Sequence, residues 1–165
     1  MKALKYWKAD ACPRCLCPNE TALHVLSCQD TRATTLRDQL IQDFIDELQR
    51  SNTAPDLILS AQTLIRKATQ QGHIEVQETV VLHNQAAFSE LQFMQGRLTY
   101  HWRLRQKEYY EAIQSPQSAS KWAADFLTAL WKIAFQLWDQ RNTIVHSHQS
   151  IKDQLNDLND TNANI

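Results

Sequence analysis

Apolar residues recur three and four apart along most of this 165-residue chain, a spacing that predicts helices throughout. No stretch alternates as a half-buried strand would, and only two glycines and four prolines interrupt the pattern. Leu36, Leu40, Ile41, Phe44, Ile45 and Leu48 form one stripe that should end near Ser51. Thr53 with Pro55 resembles a helix start, Ile58, Ala61, Leu64, Ile65 and Ala68 continue the stripe, and Gly72 stands where a left-handed terminal residue is expected. Residues 73–83 carry no clear period. Ala87, Phe88, Leu91 and Met94 restore helical spacing before Gly96, and Leu98, Trp102, Tyr109 and Ile113 mark a further helix up to Ser115 and Pro116.

The strongest element is SKWAADFLTALWKIAFQLWDQRNTIVH. Trp122, Phe126, Ala129, Leu130, Ile133 and Leu137 line one side, while Ala123, Leu127, Trp131, Ala134 and Trp138 line another. A helix apolar on nearly all sides is expected in the middle of a bundle, with Trp122, Trp131 and Trp138 in the core. The expected fold is mainly α: residues 1–30 as a zinc-knuckle segment, 31–148 as a helical bundle, and 149–165 as a disordered Asn- and Asp-rich tail, although Ile151, Leu155 and Leu158 keep a weak helical spacing.

Composition narrows the setting. A chain of this length reads as one domain able to bury its own core without disulfide staples. The N-terminus lacks the apolar run of a secretory signal, and no later run is apolar enough to span a bilayer, so a soluble intracellular protein with no membrane partner is expected. The formal net charge of -1 excludes a general polyanion binder. The basic residues are nevertheless segregated: Lys2, Lys5, Lys8 and Arg14 lie at the start, and Arg97, Arg103, Arg105, Lys107, Lys121, Lys132 and Arg141 lie between 97 and 141. A polyanion surface would combine those two segments.

All four cysteines fall in CPRCLCPNETALHVLSC, from Cys12 to Cys28. Taken as ligands, Cys12, Cys15, His24 and Cys28 follow a C-x-x-C, then H-x-x-x-C spacing. The first pair can grip an ion from a turn that Pro13 helps to set. The second pair fits one face of a helix, with Asn19 as its cap and Glu20 in its first turn. Three thiolates and an imidazole close a tetrahedron, which predicts structural Zn2+, because a catalytic zinc keeps one position open for water. Cys17 is a second candidate for the role of Cys15, or a free thiol; four ordinary cysteines beside an exposed histidine is the plainer alternative.

The segment resembles the C-terminal zinc-binding region of non-LTR retroelement reverse transcriptases: the knuckle, the Glu20-Thr21 pair and the His24 to Cys28 step carry the likeness. LWKIAFQLWDQRNTIVH, with Trp131, Trp138, Arg141 and Asn142, is similar to the Trp-rich Arg-Asn helix that often follows such modules, and GRLTYHWRLRQKEYY is similar to another segment of those reading frames. Leu16 stands where many zinc knuckles have glycine, and Cys17 is extra. The resemblance implies a detached or truncated C-terminal module that holds nucleic acid or a neighbouring domain, with a reverse transcriptase or another protein as partner. The chain contains no aromatic-x-Asp-Asp run of the kind a polymerase uses for two metal ions.

No catalytic residue is assigned in this reading. Nucleic-acid contacts are expected from Arg14, Arg97, Arg103, Arg105 and Lys107, with YHWRLRQKEYY interleaving aromatics that could stack on unpaired bases. An amphipathic helix gives the same pattern, with Trp102 and Tyr109 toward a core and Arg103 and Lys107 toward solvent. The enzyme alternative is RNTIVH, whose Arg141 and His146 are similar to the signature of metal-independent HEPN-family ribonucleases. Residues five apart on a continuous helix diverge by about 140°, so that alternative needs a dimer or a helix break at Arg141. The third alternative is a protein-interaction module whose zinc only fixes the N-terminal loop.

Overall fold

A computed structural model describes residues 11–69 and 78–162, with side chains described as far as residue 147. Among these residues the chain is a bundle of seven helices and no strand: α1 (Ala22–Ser27), α2 (Thr31–Arg50), α3 (Pro55–Thr69), α4 (Val80–Gln85), α5 (Glu90–Met94), α6 (Tyr100–Ala112) and α7 (Ala119–Asn162). The N-terminal lysines, Gly72 and residues 73–77 lie outside the described residues.

Helix α2 forms where its stripe predicts. Asp30 caps it by accepting from the Arg32 amide, and the stripe from Ala33 to Leu48 is buried against α7 and α3. The centre of the bundle is aromatic. Phe126 of α7 lies 5.4 Å from Phe44, 5.4 Å from Trp102 and 5.2 Å from Trp122, measured between ring centroids. Edge-on and tilted rings at such spacings add to their burial energy by roughly 0.5–1.5 kcal/mol a pair.

Two glutamines hold the turns. Gln106 of α6 accepts from the Ala54 amide and donates to the Asn52 carbonyl, which ties down the α2–α3 turn, and Tyr110 donates to the Ser51 carbonyl beside it. Gln85 of α4 donates to the Arg97 carbonyl and accepts from both the Thr99 amide and the Trp102 indole, which fixes the α5–α6 turn. Both glutamines are fully buried, so each backbone group they bond would otherwise be unsatisfied.

Three expectations are corrected. Tyr110 is the fully buried tyrosine of α6 while Tyr109 packs against the core half-buried, and Ile113 is exposed beyond the helix end. Trp122 is buried, but Trp131 and Trp138 are 50% and 48% exposed, because only one side of α7 meets α2, α5 and α6. The tail expected to be disordered from residue 149 continues α7 to Asn162, since no proline or glycine stops it.

Candidate metal centre

The knuckle begins as a tight loop. The Leu16 amide donates to the Cys12 carbonyl and the Cys12 amide to the Cys17 carbonyl, which turns Cys15 back toward Cys12. Closing the loop forces Leu16 to φ 62°, the left-handed region where glycine is at ease and a leucine costs about 1–2 kcal/mol. Asn19 is also left-handed and does not cap α1 as expected. Thr21 does: its hydroxyl accepts from the His24 amide at 3.1 Å. The helix thus starts later than the sequence suggests, and Glu20 stands outside its first turn.

Starting α1 at Ala22 brings His24 and Cys28 round to the loop. The Sγ atoms of Cys12 and Cys28 are 3.8 Å apart, and Cys15 Sγ is 3.2 Å from His24 Nε2. All four donor atoms lie within 4.8 Å of one another, so they could hold one metal ion. Bonds of about 2.3 Å to sulfur set tetrahedral edges near 3.8 Å. Cys17 is not among the four; its exposed thiol points to the Pro18 carbonyl.

Two buried arginines test the fit. Arg14 donates to the Val25 carbonyl at 2.7 Å, and Arg37 to the carbonyls of Leu26 and Cys28 at 3.1 and 3.0 Å. Three further nitrogens on these guanidiniums, Nε and Nη1 of Arg14 and Nε of Arg37, are buried without a partner. Buried cations demand a compensating anion. Three thiolates around a divalent ion carry one net negative charge, and both guanidiniums stand next to them, so the donor set fits a divalent metal. Without an ion the balance differs: burial pushes the Cys28 thiol up to about 12, where it stays protonated.

Arg14 was expected on a nucleic-acid surface, and its position corrects that assignment. It is 5% exposed, because its guanidinium closes the end of α1. Of the other candidates, Arg97, Arg103 and Lys107 are exposed, while Arg105 pairs with Asp56 at 2.8 Å. Arg103 lies over the Tyr100 ring, and Lys107 is 3.6 Å from Glu111. These side chains edge a groove of about 490 Å³ whose far wall is Ser118, Ala119 and Ser120 at the start of α7.

Arg141 is committed elsewhere. Its Nη2 and Nε both donate to Glu20 Oε2, at 2.6 and 2.9 Å, and its guanidinium lies 5.5 Å from the centre of the Trp138 ring. His146 is exposed on the same unbroken helix, and the two do not converge. Sequence reasoning missed the buried role of Arg37 and the pairing of Glu20 with Arg141. Arg37 carried a signal: it interrupts the buried stripe between Ala33 and Leu40.

No family model, curated protein or solved structure matches the chain. No helix among the described residues is long and apolar enough to cross a membrane.

Proposed function

We propose that this chain is a non-catalytic zinc-binding module that holds nucleic acid, related to the C-terminal region of a retroelement reverse transcriptase. The observation that carries the reading is the closed set of Cys12, Cys15, His24 and Cys28, backed by buried Arg14 and Arg37. Four protein donors leave no open position, so the ion's work is to join the loop to α1. Thiolate-rich sets favour zinc over the harder divalent cations.

Support for nucleic acid comes from the groove between α6 and the start of α7. Arg103 and Lys107 offer positive charge along one wall, exposed Tyr100 offers a ring for a base, and the first amides of α7 face an approaching phosphate favourably. With Arg14 buried and Arg105 held by Asp56, three exposed cations remain, Arg97, Arg103 and Lys107, the last in a weak surface pair with Glu111 that a phosphate can replace. Each contact to a single strand contributes about -0.7 to the log-log salt slope, so binding should fall with a slope near -2.

Two measurements test this reading. Protein purified without added metal should contain one zinc per chain by elemental analysis, and fluorescence anisotropy should show salt-dependent binding of a labelled single-stranded oligonucleotide. Charge reversal of Arg103 and Lys107 together should flatten the slope to about -0.7, the share of the one remaining contact, without loss of helicity. A metal-free protein with an ordered knuckle defeats the zinc assignment. Absence of binding at low salt defeats the nucleic-acid assignment and favours the interaction module.

A further inference from the structure

The side of α7 turned away from the core is unusual for a monomer. Trp131, Phe135 and Trp138, spaced four and three apart, are 50%, 68% and 48% exposed on one face. Ala124, Leu127, Thr128, Asn142, Val145 and the exposed His146 share that face, which therefore carries no Asp, Glu, Lys or Arg over six turns. Along one edge of it stand Lys132 and Asp139, seven residues apart and both exposed; Asp43 and Glu47 of α2 line the same small groove as Lys132, but among the described residues neither Lys132 nor Asp139 forms an ion pair.

We propose that this face is a self-complementary interface through which two copies of the chain pair as an antiparallel dimer, with the two-fold axis at Phe135. The proposal goes beyond the nucleic-acid reading and does not depend on it. Symmetry sets the pairing. In an antiparallel pair each edge meets its own copy, and positions on either side of residue 135 that are equally far from it to within about one residue face one another. Phe135 then meets the partner subunit's Phe135, Trp131 meets the partner subunit's Trp138, and Lys132 meets the partner subunit's Asp139. Each of the last two contacts is made twice. A parallel pair would set this edge against Ala134 and Arg141, which offer Lys132 no anion.

The rings are already held for such a contact. Gly96, at φ 89°, lets the α5–α6 turn press against Trp131 so closely that a Cβ there would fall 2.8 Å from the indole. The Arg141 guanidinium, tied to Glu20, lies over the Trp138 ring. Rings that are ordered beforehand lose little entropy on binding. Enclosed aromatics bury about 150–250 Å² each, so three half-exposed ones offer roughly 300–400 Å² per copy. With their neighbours the total approaches the roughly 1,200 Å² at the lower end of specific interfaces, which suits a dimer of micromolar strength.

Sedimentation velocity over a concentration series tests the proposal on the full chain. The wild type should pass from monomer to dimer within the micromolar range. Phe135→Glu places two carboxylates on the axis and should abolish the dimer; the side chain is exposed, so helicity should not change. Lys132→Glu and Asp139→Lys should each weaken pairing about tenfold, because each turns two attractive contacts into repulsive ones. An equimolar mixture of those two variants should recover the dimer, since every edge contact between them is again of opposite sign. A wild type that stays monomeric at several hundred micromolar overturns the proposal, as does a dimer indifferent to Phe135→Glu or a mixture no stronger than either variant alone.

Discussion

Removing the Arg141–Glu20 ion pair should release the knuckle from the bundle. The side chains are 18% and 9% exposed, and both donors of Arg141 converge on Oε2 while Glu20 Oε1 is already buried without a partner. Arg141→Met keeps the aliphatic stem beside Trp138 but strands a buried carboxylate. Breaking a buried pair from one side costs about 3–5 kcal/mol, and the partial exposure here points to the lower end, about 3 kcal/mol. Glu20→Gln keeps the shape and removes the charge, at about 2 kcal/mol. The double variant should cost little more than Arg141→Met alone, which leaves a coupling energy of about 2 kcal/mol.

The assay is urea denaturation of the metal-loaded protein, followed by circular dichroism and tryptophan fluorescence, for the four members of the cycle. In a chain of this length about 3 kcal/mol corresponds to a melting shift of roughly 6–12 °C. A pair so enclosed is weakly screened, so the coupling should persist in 1 M salt. Because Glu20 directly precedes the Thr21 cap that orients His24, Arg141→Met should also lose its metal to a chelator faster than wild type. A coupling energy below about 0.5 kcal/mol, or unchanged metal loss, would refute the view that this pair locks the knuckle to α7.

Leu16→Gly should stabilise the protein by about 0.5–1 kcal/mol, the left-handed penalty relieved less the added entropy of the unfolded chain; thermal melts of loaded protein check it, and a lower melting temperature contradicts it. The metal-free protein should weaken in alkali: the Cys28 thiol is raised to about 12 from 9.0, so its contribution is complete below pH 9 and is lost as pH rises toward 12. Urea midpoints across that range, compared with Cys28→Ala, separate this from Tyr110, whose burial raises its pKa too. The loaded protein should behave in the opposite way and release metal as pH falls, because protons compete for the thiolates.

How far the sequence reaches depends on the kind of physics involved. The period of Leu40, Ile41, Phe44, Ile45 and Leu48 reads directly as a buried face, because one helix decides it. The spacing of Cys12, Cys15, His24 and Cys28 likewise suffices to collect them, since a short loop and one turn of helix do the work. Arg14 shows where such reading stops. A cation beside a cysteine looks like surface charge in one dimension, and only the fold places it under the carbonyl end of α1. Glu20 and Arg141 are 121 residues apart, a distance no periodicity spans.

The same limit explains the tryptophans of α7. Trp131 and Trp138 are seven apart, the spacing of a core stripe, and a face meant for a second chain obeys the same period as one meant for the first. Hydrophobic pattern reports that a surface leaves water; it does not report whose surface covers it. What separates the two cases here is charge at the margin. The buried face of α7 borders helices that already fill it, whereas the outward face ends at Lys132 and Asp139, which form no ion pair among the described residues and stand in the correct order to partner each other in reverse. If that pairing holds, α7 serves as two interfaces back to back, and the Arg141–Glu20 contact lies between them. The knuckle, anchored there, would then be held at a fixed place in a two-fold assembly, with one metal centre toward each end.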